Sequence, residues 1–322
     1  MQTSTPRDPR IWRSLAEVPG DLGRTVVVIG NFDGVHLGHQ HVIREARAAA
    51  EADGLPVVAV TFDPHPMAVL RPEHAPTALT DLETRARLLA AAGVDDVLAI
   101  PFDRDIAAWS PHEFAERVLR DGLHAAVVVV GANFRYGARA AGDVASLAAS
   151  GEELGFRAVG VALDGGPQVW SSTYVRTCLA AGDVAGAAEA LGRPFAVRGE
   201  VVRGDRRGHE LGYPTANVPT SGMTAAPADG VYAGWLRRLD TGETYPAAIS
   251  VGTNPTFEGE RERRVEAYVL DRDDLELYDV VVEVSFVERI RGMVRFEGVE
   301  ALVETMAGDV ARAHEILGVA QP

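Results

Sequence analysis

Residues 25–40 read TVVVIGNFDGVHLGHQ. Four aliphatic residues, Val26–Ile29, run without interruption into Gly30 and Gly34, and 3.6-residue apolar spacing begins a few positions later. An unbroken aliphatic run marks a strand covered on both faces. Glycines at its end let the backbone approach a ligand closely. A helix start directly afterwards offers unpaired N–H groups and a partial positive charge. His36 and His39 are three residues apart, so they can share one face near that terminus. Two imidazoles placed there can donate hydrogen bonds to phosphate oxygens. Taken alone, this HxGH also fits a structural turn with surface histidines, or a weak metal pair. Strand, glycines and helix start in one register favour phosphate. The helix dipole opposes a cation there, and no third ligand is evident.

The same β-then-α rhythm continues outward. Residues 56–62, 96–101, 125–131 and 157–163 read as further strands. Residues 38–52, 81–92, 111–121 and 143–154 carry helical spacing, with Thr80-Asp81 and Ser110-Pro111 as start signals. Alternation of this kind predicts a parallel sheet with helices on both faces. Ligands in such folds sit at the carboxyl ends of the strands. Three more polar segments fall at those ends: TFDPHP (61–66), GANFRYG (131–137) and SSTYVR (171–176). Any one of them could be an ordinary turn or helix cap.

After Leu191-Gly-Arg-Pro194 the helical spacing stops. Residues 195–203, 230–238, 245–251, 264–270 and 280–289 alternate as longer strands with Gly, Pro, Asp and Asn between them. Five or six strands in that length suggest a small antiparallel barrel. Residues 298–306 and 308–317 close the chain as one or two helices. The segment GDRRGHELGYPTAN (204–217) runs from glycines that could turn amides toward phosphate to Thr215 and Asn217, which face one side of an extended backbone. Their oxygens suit Mg²⁺, although Pro-Thr followed by Asn also fits a plain turn. Glu266 lies on the strand face opposite Val265, where a solvated glutamate is the ordinary reading.

Composition narrows the chemistry. The 322 residues are 47% hydrophobic and 24% charged, which suits two globular domains. Net charge is −15, with 16 arginines against 24 acids up to Gly192 and 15 against 22 beyond it. Neither half suits nucleic acid or an anionic membrane. All 31 basic residues are arginine. The absence of lysine excludes a Walker A lysine, a protein-kinase lysine, Schiff-base chemistry and a lysine-based KMSKS loop. The single Cys178 allows no internal disulfide and no cysteine metal site. No aliphatic run reaches membrane-span length, and residues 1–13 lack a signal-peptide core. A cytoplasmic protein is expected.

The motifs GNFDGVHLGHQ, TFDPHP, GANFRYG and SSTYVR together resemble the adenylyltransferase module of bacterial bifunctional riboflavin kinase/FMN adenylyltransferases, a member of the HxGH nucleotidyltransferases. GDRRGHELGYPTANV, SVGTNPTF, VEAYVLD and LYDVVVEVSFVERIRGMVRF resemble the riboflavin kinase module of the same proteins, in the expected order. The resemblance implies a Rossmann-like parallel α/β/α domain over residues 1–192, then a six-stranded antiparallel β-barrel with a terminal helix over 193–322. It implies that riboflavin is phosphorylated to FMN with ATP, and that FMN is adenylylated to FAD with release of pyrophosphate.

Site roles follow by resemblance. Gly30, Phe32, Asp33, Gly34, His36, His39, Asn133, Ser172, Thr173 and Arg176 would bind ATP in the adenylyltransferase, and Phe62, Asp63, His65, Asn133 and Tyr136 would lie on its flavin side. In the kinase, Gly204, Arg207, Gly208, Tyr213, Pro214, Thr215 and Asn217 would bind ATP. Thr215 and Asn217 would hold Mg²⁺, Glu266 would act as catalytic base, and Arg291, Met293 and Phe296 would join Glu266 around the flavin. Tyr136 and Tyr213 stand where the family usually has Phe, and His209 where Arg is frequent. Mg²⁺ and ATP are the expected requirements, with no tightly bound redox cofactor. No nucleic-acid or membrane partner is expected, and transient homo-oligomerisation stays open. Two rival readings are a transferase carrying a regulatory flavin-binding barrel, and a non-enzymatic nucleotide or flavin sensor.

Overall fold

The computed structural model describes residues 9–162, 170–203, 213–220, 224–253, 263–294, 296 and 298–320. The chain divides into two compact units, residues 1–170 and 171–322. The first is a parallel sheet of β1 (Arg10–Trp12), β2 (Thr25–Ile29), β3 (Val57–Phe62), β4 (Asp96–Ile100), β5 (Ala125–Gly131) and β6 (Arg157–Val161). Its strand order is β1-β4-β3-β2-β5-β6. The chain winds one way from β2 through β4 and the other way through β5 and β6. The reversal falls between β2 and β5, and sheets of this kind bind ligands at the carboxyl ends beside such a reversal.

The aliphatic runs show why they lack polar alternation. Val26 and Val28 enter one core and Val27 and Ile29 enter the other, on opposite faces of the sheet. Helices α1 (Leu37–Asp53) and α3 (Leu82–Ala91) cover the Val26 face through Ile43, Ala46, Ala86 and Leu89. On the Val27 face lie α4 (Pro111–Phe114), its π-helical continuation Ala115–Gly122, and α5 (Val144–Leu154). The single helix expected over 111–121 is therefore α-helical only in its first turn. Ser110 and Glu113 form a reciprocal capping box there. A short α2 (Pro66–Leu70) follows β3.

Strand β1 falls within residues 1–13, where the sequence reading expects no strand. Three residues carry too little periodicity to signal a strand. Its anchor is side-chain chemistry: the Arg10 guanidinium donates to the buried Asp96 carboxylate at 2.9 and 2.8 Å, and Trp12 enters the core.

The second unit begins with α6 (Ser172–Ala181) and α7 (Val184–Leu191). Its antiparallel sheet comprises β7 (Phe195–Glu200), β8 (Thr215–Pro219), β9 (Gly230–Arg238), β10 (Thr244–Thr253), β11 (Arg263–Val269) and β12 (Val281–Gly292). The order is β7-β12-β9-β10-β11-β8. The sheet curls until Val202, just beyond β7, donates its N–H to the Asn217 carbonyl of β8 at 2.9 Å. The six-stranded antiparallel expectation holds. Its sixth strand, β8, is the segment read only as extended. Tyr232, Phe286 and Phe195 pack as an aromatic core inside the curl. A single helix, α8 (Val299–Leu317), ends the unit, running unbroken through Gly308.

Candidate active sites

In the first unit the loop after β2 is tightly bent. Phe32, Gly34 and Val35 all have left-handed backbone angles, with φ of 49°, 78° and 42°. For a β-branched residue such as Val35 this is a strained conformation that the surroundings must enforce. The Asp33 side chain supplies much of that enforcement. It is buried, and it accepts from the Leu79 N–H at 2.9 Å and the Thr80 N–H at 3.1 Å. The Asp33 carboxylate therefore faces the segment before α3. Phe32 is buried in the core beneath the loop.

The loop delivers His36 to the N-cap of α1, where its Nδ1 accepts from the His39 N–H at 3.4 Å. An accepting Nδ1 leaves Nε2 as the His36 ring donor. The two imidazoles stack, with centroids 3.6 Å apart and planes 25° apart. Gly38 makes the stack possible: a Cβ there would press on the His36 ring at 3.1 Å. The His39 ring meets the Phe32 edge at 5.1 Å, and its buried Nδ1 has no hydrogen-bond partner among the described residues. Burial, then His36, then Arg85 push the His39 imidazole well below its usual pKa. His39 is thus held neutral, able to donate one hydrogen bond without carrying charge.

The neighbouring strand ends bring an aromatic group together. Phe62 at the end of β3 packs near Phe114, which meets Tyr136, which stacks on Phe134 at 5.3 Å. Tyr136 is buried in this cluster, and burial raises its phenol pKa. Asp63 is exposed, and His65 caps α2 by accepting from the Met67 N–H at 3.1 Å. Asn133 is exposed just past β5. Ser171 is the N-cap of α6, accepting from the Tyr174 N–H at 3.1 Å. Ser172 and Arg176 follow at i and i+4 on one helix face, and Thr173 is exposed. These three lie in the second compact unit, whereas the histidines lie in the first.

In the second unit, register assembles the site. Glu266 on β11 is paired with Ser250 on β10 and with Asn217 on β8, and Tyr268 is paired with Thr215. The buried residues Val265, Ala267 and Val269 alternate with this row, so Glu266 and Tyr268 share the other face. A cavity of about 230 Å³ lies there, lined by Tyr213, Thr215, Ser250, Glu266, Arg291 and Met293, among others. Phe296 also borders it. The Arg291 guanidinium is held by Asp309 of α8 at 2.8 and 2.7 Å and lies 5.8 Å from the Phe296 ring. A second cavity of about 150 Å³ is lined by Pro214, Thr215, Ala216 and Arg272 with neighbours. Thr215 borders both cavities. Asn217 turns its amide nitrogen toward the Thr215 carbonyl at 3.2 Å. Gly204, Arg207, Gly208 and His209 lie outside the described residues.

Sequence reasoning did not single out Asp33 as an internal anchor, nor Thr61, Thr80 and Arg85 behind the loop. Their signal was weak: Thr80-Asp81 looks like a helix start, which it is, and nothing local shows that Thr80 also holds Asp33.

Comparison with known proteins identifies a family for each half of the chain. The FAD synthetase family model matches residues 19–172, and the riboflavin kinase family model matches residues 191–317. The bifunctional riboflavin kinase/FMN adenylyltransferase of Escherichia coli K12 is 37% identical over 300 residues, covering 92% of this chain and 94% of that protein. The Pseudomonas fluorescens protein of the same description is 38% identical over 295 residues, covering 90% and 92%. A crystal structure of a Streptococcus pneumoniae protein, described as a macrolide-efflux protein, matches with a TM-score of 0.85 and 30% identity, covering 96% of this chain and 99% of that one. No helix among the described residues is long and apolar enough to cross a membrane. Two adjoining family matches, and relatives aligned over nine-tenths of their length, make this chain a member of the bifunctional riboflavin kinase/FMN adenylyltransferase family.

Proposed function

We propose that this chain makes FMN from riboflavin and then FAD from FMN, using ATP in both steps. Residues 193–322 carry the kinase and residues 1–192 the adenylyltransferase, a division supported by the change from α/β to alternating-strand sequence. The observation that carries the reading is the presence of two chemically different centres on one chain: a stacked imidazole pair at a helix N-terminus, and a glutamate on a barrel wall beside hard oxygen donors.

In the kinase the riboflavin 5′-hydroxyl oxygen attacks the γ-phosphorus of ATP, the bond to ADP breaks, and the hydroxyl proton must leave. Glu266 takes that proton as general base. The larger cavity, with its apolar walls and Glu266, takes the flavin. The smaller one takes the nucleotide, and Thr215 stands on the wall they share. The Thr215 hydroxyl and the Asn217 carbonyl oxygen would hold Mg²⁺. Asn217 already directs its nitrogen at Thr215, which leaves its oxygen as the donor for a hard cation. Two protein oxygens suit an ion that keeps waters and phosphates as its other ligands. When bound, the ion offsets charge on the transferring phosphates. Arg291 is held by Asp309 and lends its stem and charge to the flavin cavity with Met293 and Phe296.

In the adenylyltransferase an FMN phosphate oxygen attacks the α-phosphorus of ATP and pyrophosphate leaves. The second pKa of a phosphate monoester is about 6, so the nucleophile is already ionised at neutral pH. Alignment and charge stabilisation then carry the reaction. His36 and His39 donate to the ATP phosphates, and the amides of the Gly30–Gly34 loop approach the nucleotide. Ser172, Thr173 and Arg176 serve the triphosphate, and Asn133 positions both substrates. Phe62 and Tyr136 shape the flavin side with Asp63 and His65. A cytoplasmic location fits the supply of both substrates.

Incubation with riboflavin, ATP and Mg²⁺, with FMN and FAD separated over time, tests the whole reading. FMN should rise first and FAD should follow. ATP consumption with the flavin unaltered would refute it.

A further inference from the structure

Behind the loop of the first unit lies a buried cation. Arg85 of α3 is 4% exposed. Its guanidinium meets the Thr61 hydroxyl at 3.2 Å, the Phe62 carbonyl at 3.3 Å and the Thr80 carbonyl at 3.4 Å. All three acceptors are neutral, and none of the contacts is short. Its Nε is buried with no hydrogen-bond partner, and it makes no ion pair among the described residues. A buried charge without a counter-charge is costly. It persists when it serves the arrangement of something else.

The acceptors show what it arranges. The Thr61 hydroxyl donates onward to the Asn31 carbonyl at 3.0 Å, inside the loop after β2. The Thr80 N–H holds the Asp33 carboxylate, and the Thr80 hydroxyl accepts from the Gly34 N–H at 3.4 Å. One guanidinium therefore joins the end of β3 to both anchors of the strained loop that presents His36 and His39. Its charge also reaches His39, where Arg85 and His36 both act to keep the imidazole uncharged. The Asp33 carboxylate enters the network through Thr80.

We propose that Arg85 is a positioning residue for adenylyl transfer, tying the loop after β2, which presents His36 and His39, to the TFDPHP segment. The inference rests on reading the first unit as the adenylyltransferase. It predicts a function for the fork as well as for the charge. Arginine reaches three oxygens in one plane, which the point charge of a lysine cannot do.

The test compares wild type, Arg85→Lys and Arg85→Met as full-length chains. FAD formation from supplied FMN is measured against FMN formation from riboflavin on the same preparation. ATP binding to the first unit is followed at the His36 and His39 imidazole NMR signals. Arg85→Met should raise the KM for ATP at least tenfold and change that for FMN less than threefold. His39 should titrate at a higher pH than in wild type, and kinase activity should stay within twofold. Arg85→Lys should recover most of the ATP KM yet keep a kcat several-fold low. If Arg85→Met does not fold, the lysine variant alone decides through that split between KM and kcat. Unchanged ATP KM with only a lower melting temperature would overturn the proposal, as would parallel loss of both activities. Were wild type to make no FAD while Arg85→Met still weakened the ATP-induced shifts, the reaction assignment would fail and the positioning role would stand.

Discussion

On the proposed reading the two units meet ATP with opposite means. The first places two stacked imidazoles at the start of a helix on a parallel sheet. The second places a carboxylate on the wall of an antiparallel barrel, beside a hydroxyl and an amide. The difference follows the nucleophile. A phosphate monoester arrives ionised, so a base would gain nothing and donors to phosphate suffice. An alcohol arrives protonated, so a base is needed. The chain has no lysine, and on the proposed reading each centre would replace its charge differently: one with helix amides, imidazoles and arginine, the other with oxygen donors for a cation.

The comparison breaks most visibly at Glu266. Glu266→Gln should lower FMN formation by roughly 10²–10⁴-fold, the usual contribution of a general base, and leave FAD formation from supplied FMN intact. Equal loss of both activities, measured chromatographically, would show that the units do not act separately. The mirror experiment is His36→Ala with His39→Ala. FAD formation should fall by about 10²–10³-fold, as for lost donors to developing charge, while FMN formation continues. A double variant that still makes FAD would remove the imidazoles from the mechanism.

A smaller effect sharpens the role of Asp33. Asp33→Asn weakens the acceptor that holds the Leu79 and Thr80 N–H groups and should cost about 1–3 kcal/mol of stability, read as a lower melting temperature for the first unit with the second unaffected. The smallest effect concerns pH. The pKa of His39 is lower in the folded state than the 6.5 of a free imidazole. Below about pH 6.5 the unfolded chain therefore binds the extra proton, and stability falls as the solution is acidified. His39→Gln should flatten that slope in a pH series of melts. An unchanged slope would assign the acid sensitivity to other groups.

Most of this architecture is visible in the sequence because it is periodic. The Val26–Ile29 run announces a strand buried on both faces, and Val265, Ala267 and Val269 announce one buried on a single face. Strand β1 escapes because its hold is a long-range Arg10–Asp96 pair, and β8 because its five residues, with a polar pair and ending in Pro219, show no clear alternation. The HxGH pair and Glu266 are legible through motif and resemblance. Arg85 is not. Its helix reads as an ordinary amphipathic segment, and only the folded arrangement shows that one arginine points inward to three oxygens from distant positions.

The seam between Val202 and Asn217 has a consequence for the kinase. Thr215 and Asn217 share a side only because strands repeat every two residues. A slip of one residue against β11 would put Ala216 opposite Glu266 and swap an amide for a methyl group. The hydrogen bond that closes the curled sheet at Asn217, with the β8–β11 ladder, thus holds the frame that would set which oxygens a bound cation meets.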